Sequence, residues 1–224
     1  MRRKRRDWAL LACLGLVLVS SVAPAQTCTT QACAFVAGVP YLIPSGSAIA
    51  PLDGRIGTEW SGAFGKPTGG WADGRRLSMD VYLIHDGENL YLGVRVESKE
   101  RYADLLRITL HFGNVDADTH SPGNNLILLT EDRGESAPSS VDYYYEAYNA
   151  PARDPSQDAV GLGRWDPYGR AYEFEAKVRL ASGDPADFAI QAGVPFTLVI
   201  RLTTVNRNGE VTSEVNTPSL LFTI

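Results

Sequence analysis

The feature that most constrains the fold is a series of short apolar segments with period-two alternation, separated by turn residues. Residues 80–96 read DVYLIHDGENLYLGVRV, which places two such segments around a DGEN turn. Apolar residues recur at every second position on both sides: Met79, Val81 and Leu83, then Leu90, Leu92, Val94 and Val96. Because successive strand side chains point to opposite faces, this period predicts a hairpin with one buried face. Asp86-Gly87 supplies the turn, since glycine tolerates a positive φ.

The rest of the chain repeats this pattern at regular intervals. The sequence predicts further strands at Leu105–Phe112, Leu126–Glu131, Val141–Asn149, Ala171–Leu180, Phe196–Asn206, Glu210–Asn216 and Leu220–Ile224. Helical periodicity is nearly absent, and APARDPSQDAVGLG (150–163) reads as a surface loop. Many short strands with Gly, Pro, Asn and Asp between them predict an all-β fold. We expect a single-domain antiparallel β-sandwich of jelly-roll or immunoglobulin-like type over residues 47–224.

The first 46 residues have a different composition. A basic start, an apolar run and Ala23-Pro24-Ala25 predict a cleavable signal peptide over residues 1–25, and hence a secreted or periplasmic protein. The apolar run is too short for a transmembrane helix, so no integral membrane protein is expected. Residues 26–46 read as a tether with a first edge strand. Its cysteines, Cys28 and Cys33, predict a local disulfide in an exported chain.

The charge balance limits the partners. Cleavage would remove five basic residues and one acidic residue, changing the formal charge from −5 to −9. Nucleic-acid binding rests on clustered lysine and arginine, so an acidic chain argues against it. Neutral sugars and cations remain compatible with this charge. No G-x-S-x-G, H-E-x-x-H or P-loop pattern occurs, so no catalytic activity is predicted.

Several stretches in register resemble the family 9-like carbohydrate-binding modules, which are related to DOMON-type sandwiches. They are LDGRIGTEW (52–60), the hairpin VYLIHDGENLYLGVRV (81–96), DLLRITLHFG (104–113), and YEFEAKVRL (172–180) followed by FTLVIRLTTVNRNGEV (196–211). The resemblance spans roughly residues 47–224. It implies a β-sandwich that binds a mono- or oligosaccharide without catalysing a reaction. It also implies a glycoside hydrolase as partner, and structural calcium, which some members carry.

The resemblance also implies site residues. Tyr102 falls where the family has a sugar-clamping tryptophan, Asp104 matches an aspartate, and Arg107 falls at a ligand-contacting glutamate. The region of the second clamping tryptophan, SEVNTPSLLF (213–222), has none and keeps only Asn216 as a polar group nearby. The clamp is therefore half kept, and the family's specificity for chain ends is in doubt for this chain.

Other candidates come from the residues themselves. Trp71 and Trp165 lie in glycine-flanked segments predicted as loops, where each either stacks on a sugar or plugs an end of the sandwich. Asp116, Asp118 and Asn124 form either a weak calcium ligand set or a solvated loop. Glu173 and Glu175 share a strand face that we predict to be solvent-exposed, rather than an acid–base pair across a cleft.

Three functional hypotheses follow, led by noncatalytic carbohydrate binding. The second is a haem-binding electron-transfer domain, because DOMON-type relatives include cytochromes. It needs an axial pair, for which Met79 with His111 is the candidate. The third is an envelope or surface interaction module without a small ligand, which the missing second tryptophan favours.

Overall fold

A computed structural model describes residues 26–27, 39–72, 75–115, 120–134, 139–185 and 187–224, with backbone only at 26–27, 69–72 and 75–76. The predicted signal peptide, the Cys28–Cys33 disulfide, Asp116 and Asp118 lie outside these ranges. Among the described residues, no helix is long and apolar enough to cross a membrane.

Nearly all regular structure in the described ranges is β. One short 3₁₀ turn spans Thr58–Trp60. The strands are β1 (Gln26–Thr27), β2 (Tyr41–Leu42), β3 (Phe64–Ala72), β4 (Arg75–His85), β5 (Asn89–Glu97), β6 (Leu105–Asn114), β7 (Asn125–Thr130), β8 (Ser140–Ala147), β9 (Ala150–Arg153), β10 (Ala159–Asp166), β11 (Ala171–Arg179), β12 (Phe196–Val205), β13 (Val211–Asn216) and β14 (Leu220–Thr223).

The strands form two sheets. The first has the spatial order β1-β2-β14-β12-β6-β7-β8-β9, with β13 also pairing with β12. The second has the order β10-β11-β5-β4-β3. Their pairings are antiparallel except for β1 with β2 and β2 with β14. The predicted antiparallel β-sandwich is confirmed.

The core lies between the two sheets and follows the period-two pattern of the sequence. Met79, Val81 and Leu83 of β4 are fully buried, as are Leu90, Leu92, Val94 and Val96 of β5. The other sheet contributes Leu106, Ile108, Leu110 and Phe112 of β6. The predicted hairpin is therefore correct, and Gly87 in its turn has a φ of +94°. Burial of these apolar faces is the main force that holds the sheets together.

The predicted loop at 150–163 is wrong. Residues 150–153 form β9, and β10 begins at Ala159 and pairs with β11 along its whole length. Gly163 suggested a loop, but a Cβ there would lie 2.3 Å from the ring of Phe174. This glycine therefore permits a close approach within the sheet. Trp165 and Trp71, also predicted in loops, lie in β10 and β3.

The predicted solvent exposure of Glu173 and Glu175 is also wrong. Both are buried, at 5% and 0% exposure, because residues 49–63 cross the outer face of the five-stranded sheet. Glu175 accepts hydrogen bonds from the backbone N–H groups of Asp53 and Gly54, at 2.8 and 2.7 Å, and from Trp60 Nε1 at 2.9 Å. The carboxylate thus anchors a covering segment and does not face a cleft as a catalytic acid or base would.

Candidate functional site

A cavity of about 500 Å³ lies between the loop that precedes β6 and the β12–β13 hairpin. Its volume falls in the range of small-molecule sites, roughly 300–1,000 Å³. The apolar part of its lining consists of Leu77, Leu106, Leu202 and Val215. The polar part consists of the hydroxyl-bearing residues Thr203, Thr204, Thr212 and Ser213. Tyr102 and Asp104 also line the cavity, so the structure brings two of the predicted ligand residues to one site.

Tyr102 is held by a stack of aromatic rings. Its ring lies 5.3 Å from that of Tyr172, with 6° between the planes. Trp165 packs on Tyr172 from another side, at 4.7 Å between centroids. The backbone N–H of Tyr102 donates to the Tyr172 hydroxyl, and burial raises the pKa of that hydroxyl to about 12. Tyr102 is therefore a fixed, half-buried surface, which is what a stacking platform requires.

The loop that carries Tyr102 and Asp104 is fixed from the other end by Arg133. Its guanidinium donates to the carbonyl oxygens of Tyr102, Ala103 and Asp104, at 3.0, 3.0 and 2.7 Å. The same group pairs with Glu131 at 2.9 Å. Glu131 has a fully buried side chain and also binds Arg101 at 2.6 Å. Two cations thus compensate one buried carboxylate, and no local sequence pattern indicates this arrangement.

Asp104 is positioned by the opposite hairpin. Its Oδ2 accepts a hydrogen bond from the Thr212 hydroxyl at 2.7 Å. No described residue donates to its other carboxylate oxygen, so this oxygen remains an acceptor for a ligand hydroxyl. Arg107 lines an adjoining cavity of about 340 Å³ together with Asp104 and Arg133. Its Nε is buried and has no hydrogen-bond partner among the described residues.

Two further predicted ligand residues, Trp165 and Asn216, are not among the residues that line the first cavity. Trp165 contacts Tyr172 and supports Tyr102 indirectly. Asn216 ends β13, is exposed, and accepts from Arg201 Nε at 3.1 Å while donating to Glu214 at 3.1 Å. Trp71 lies in β3, and its side chain is outside the described residues. Asn124, predicted as a metal ligand, is buried, and its side chain packs over Gly113.

The residues of the haem hypothesis do not face each other. Met79 lies in the core between the sheets. His111 alternates with the core residues of β6 and contacts Tyr145 and His120 on the opposite face. Because the sheet separates the two side chains, they cannot ligate one haem iron.

Sequence and structure comparisons give distant similarities only. No family model and no curated protein sequence matches the chain. A family 9 carbohydrate-binding module from Caldicellulosiruptor kristjanssonii, solved with cellotriose, is 14% identical with a TM-score of 0.48, covering 78% of this chain and 82% of that one. Its complex with glucose is 14% identical with a TM-score of 0.46, covering 79% of this chain and 84% of that one. A protein from Bacteroides uniformis is 8% identical with a TM-score of 0.47, covering 82% of this chain and 98% of that one.

All three TM-scores lie below 0.5. The function of this chain therefore has to be argued from its own residues. They define a β-sandwich with a rigidly supported aromatic side chain and a carboxylate at a polar-rimmed cavity.

Proposed function

We propose that this chain binds a mono- or oligosaccharide without catalysing a reaction, as an exported protein. The observation that carries the proposal is the pairing of Tyr102 and Asp104 at one cavity that threonine and serine residues also line. A pyranose ring has an apolar face, which covers an aromatic surface, and hydroxyls at its edge, which need donors and acceptors. The cavity supplies both kinds of contact.

Each group in the cavity has a defined role in this proposal. Tyr102 provides the stacking surface, and its support by Tyr172 and Arg133 reduces the entropy lost on binding. Asp104 accepts hydrogen bonds from sugar hydroxyls, while Thr212 holds it in place. Arg107, with its unpartnered buried Nε, supplies donors at the adjoining cavity. Tyr102 is the aromatic side chain that the described lining residues offer for stacking.

The sequence supports the wider setting of the proposal. The signal peptide predicted over residues 1–25 directs the protein to the periplasm or the exterior, where glycans are met. The motif resemblance to family 9-like modules supports a role beside a glycoside hydrolase or in recognition of surface glycans. The net negative charge fits a ligand without phosphate groups.

The test is isothermal titration of the purified protein against a panel of mono- and oligosaccharides, with tryptophan fluorescence as a second readout. We expect saturable binding to at least one sugar. Tyr102→Ala should reduce the affinity at least tenfold, because it removes the stacking surface. Tyr168→Ala is the matched control, since that side chain is 96% exposed and outside the cavity lining. It should bind like the wild type.

A flat response across the panel would overturn the proposal and favour the interaction module. Binding that survives Tyr102→Ala unchanged would place the site elsewhere on the sandwich.

A further inference from the structure

Three aspartates from separate segments meet at the side of the sandwich formed by β8 and β10. They are Asp142 in β8, Asp154 directly after β9, and Asp187 between β11 and β12. Each offers a carboxylate oxygen, and these oxygens lie within 4.8 Å of one another. Asp142 and Asp154 are each only 1% exposed. Burial of several carboxylates together is costly unless something compensates their charge.

Hydrogen bonds from neighbouring residues satisfy only some of the oxygens of these carboxylates. Asp142 Oδ2 accepts from the backbone N–H of Ala159 at 3.1 Å, and Asp154 Oδ1 accepts from both the N–H and the hydroxyl of Ser156. Asp142 Oδ1 and Asp154 Oδ2 are buried without any hydrogen-bond partner among the described residues. Native proteins rarely leave such oxygens unsatisfied, so each calls for a ligand.

The neighbouring residues hold the third aspartate in the same way. Asn125 Nδ2 donates to Asp187 Oδ1 at 3.1 Å, while Asn125 Oδ1 accepts from the N–H of Phe188 at 2.8 Å. The backbone N–H of Asp154 donates to the carbonyl of Asp142 at 3.0 Å, which fixes the first two segments together. The carboxylates are thus preorganised by bonds that do not use their remaining oxygens.

Among the described residues, no basic side chain neutralises the cluster. None of the ion pairs between described residues involves Asp142, Asp154 or Asp187. The three carboxylates therefore lie close together without a compensating positive charge from the described residues.

We propose that Asp142, Asp154 and Asp187 bind one Ca²⁺ ion, which ties β8, the end of β9 and the β11–β12 connection together. Two oxygens bound to one Ca²⁺ at 2.3–2.6 Å lie no more than about 5 Å apart, as the three carboxylates do here. The donors are all oxygen, which hard cations prefer, and water completes the six to eight ligands. The proposed ligands are other residues than the predicted set Asp116, Asp118 and Asn124, and the proposal does not depend on sugar binding.

The test is calorimetric titration of chelator-stripped protein with CaCl₂, together with thermal unfolding in calcium and in EGTA. A cation that binds only the folded state raises Tm, by about 5 °C or more at a hundredfold excess over Kd. Asp142→Asn retains the shape of the side chain and the hydrogen bond from Ala159. This variant should lose both the heat of calcium binding and the calcium-dependent rise in Tm. Asp158→Asn, a nearby aspartate outside the cluster, is the matched control and should keep both.

A second readout separates a cation site from a merely structural cluster. In EGTA, Asp142→Asn should be at least as stable as the wild type, because it removes one of three carboxylates that lie close together. Asp187→Asn, which is less buried, should also abolish the calcium response and serves if Asp142→Asn does not fold. No calcium-dependent shift in the wild type would overturn the proposal, and so would an undiminished shift in both variants. An equal shift with MgCl₂ would overturn the assignment of calcium.

Discussion

Replacing Arg133 by methionine tests whether the candidate site is built by one remote side chain. Methionine keeps much of the apolar stem but removes the donors to the carbonyls of residues 102–104 and to Glu131. Bonds to a charged group contribute roughly 1.5–3 kcal/mol each, but the freed carbonyls lie in a surface loop and regain water. Arg101 still compensates Glu131. We expect the free energy of unfolding to fall by about 2–4 kcal/mol, less than the sum of the separate bonds.

The same substitution should weaken ligand binding at least tenfold, because Tyr102 and Asp104 would have to be ordered at the moment of binding. Denaturation in urea gives the stability, and titration with the best ligand of the sugar panel gives the affinity. Arg179→Met is the matched control, since Arg179 is exposed and its ion pair with Asp158 is long, at 3.9 Å. It should change stability by less than about 0.5 kcal/mol. If Arg133→Met were equally mild, the proposed support of the loop would be refuted.

Two further predictions concern stability. Glu175→Leu leaves the donors of Asp53, Gly54 and Trp60 without an acceptor and should cost about 3–5 kcal/mol in urea denaturation, with a red shift of the Trp60 emission. Glu175→Gln keeps one acceptor oxygen and should cost less; equal costs would contradict the role of the carboxylate. Burial, and then the charges of Arg201 and His120, lower the pKa of His111 from 6.5 to about 3. The unfolded chain then binds the proton first as the pH falls, so the stability contributed by neutral His111 is complete above pH 6.5 and declines towards pH 3. Between pH 6.5 and 4, the free energy of unfolding of His111→Leu should therefore fall by up to about 3 kcal/mol less than that of the wild type. An equal fall in both proteins would refute this.

Local alternation was enough to predict most of the strands. The expected bounds of β6, β11 and β12 differ from the observed ones by only one or two residues. Such strands can be predicted because the alternation that defines their buried face is visible in the local sequence. β10 was missed because Gly161 and Gly163 look like loop residues. Their place in the sheet follows from the packing of Phe174 and Leu129 against them, which no local pattern shows.

The exposure of a strand face is harder to predict than the strand itself. The alternation of Glu173 and Glu175 with apolar neighbours correctly placed them on the outer face. Whether water or another segment covers that face depends on residues 49–63, which are far away in sequence. For the same reason Trp60 is buried on the outside of the sheet rather than between the sheets.

The sequence by itself determined that this chain forms an antiparallel sandwich, because apolar residues that recur at every second position indicate strands with an apolar face in the core. It also placed Tyr102 and Asp104 side by side before β6. Only the tertiary structure decided what surrounds them: Arg133 reaches their loop from about 30 positions away, and Thr212 reaches Asp104 across 108 positions. The aspartates at 142, 154 and 187 meet for the same reason. Side chains that are distant in sequence become neighbours only when the sheets stack, and stacking depends on the whole core rather than on any one segment.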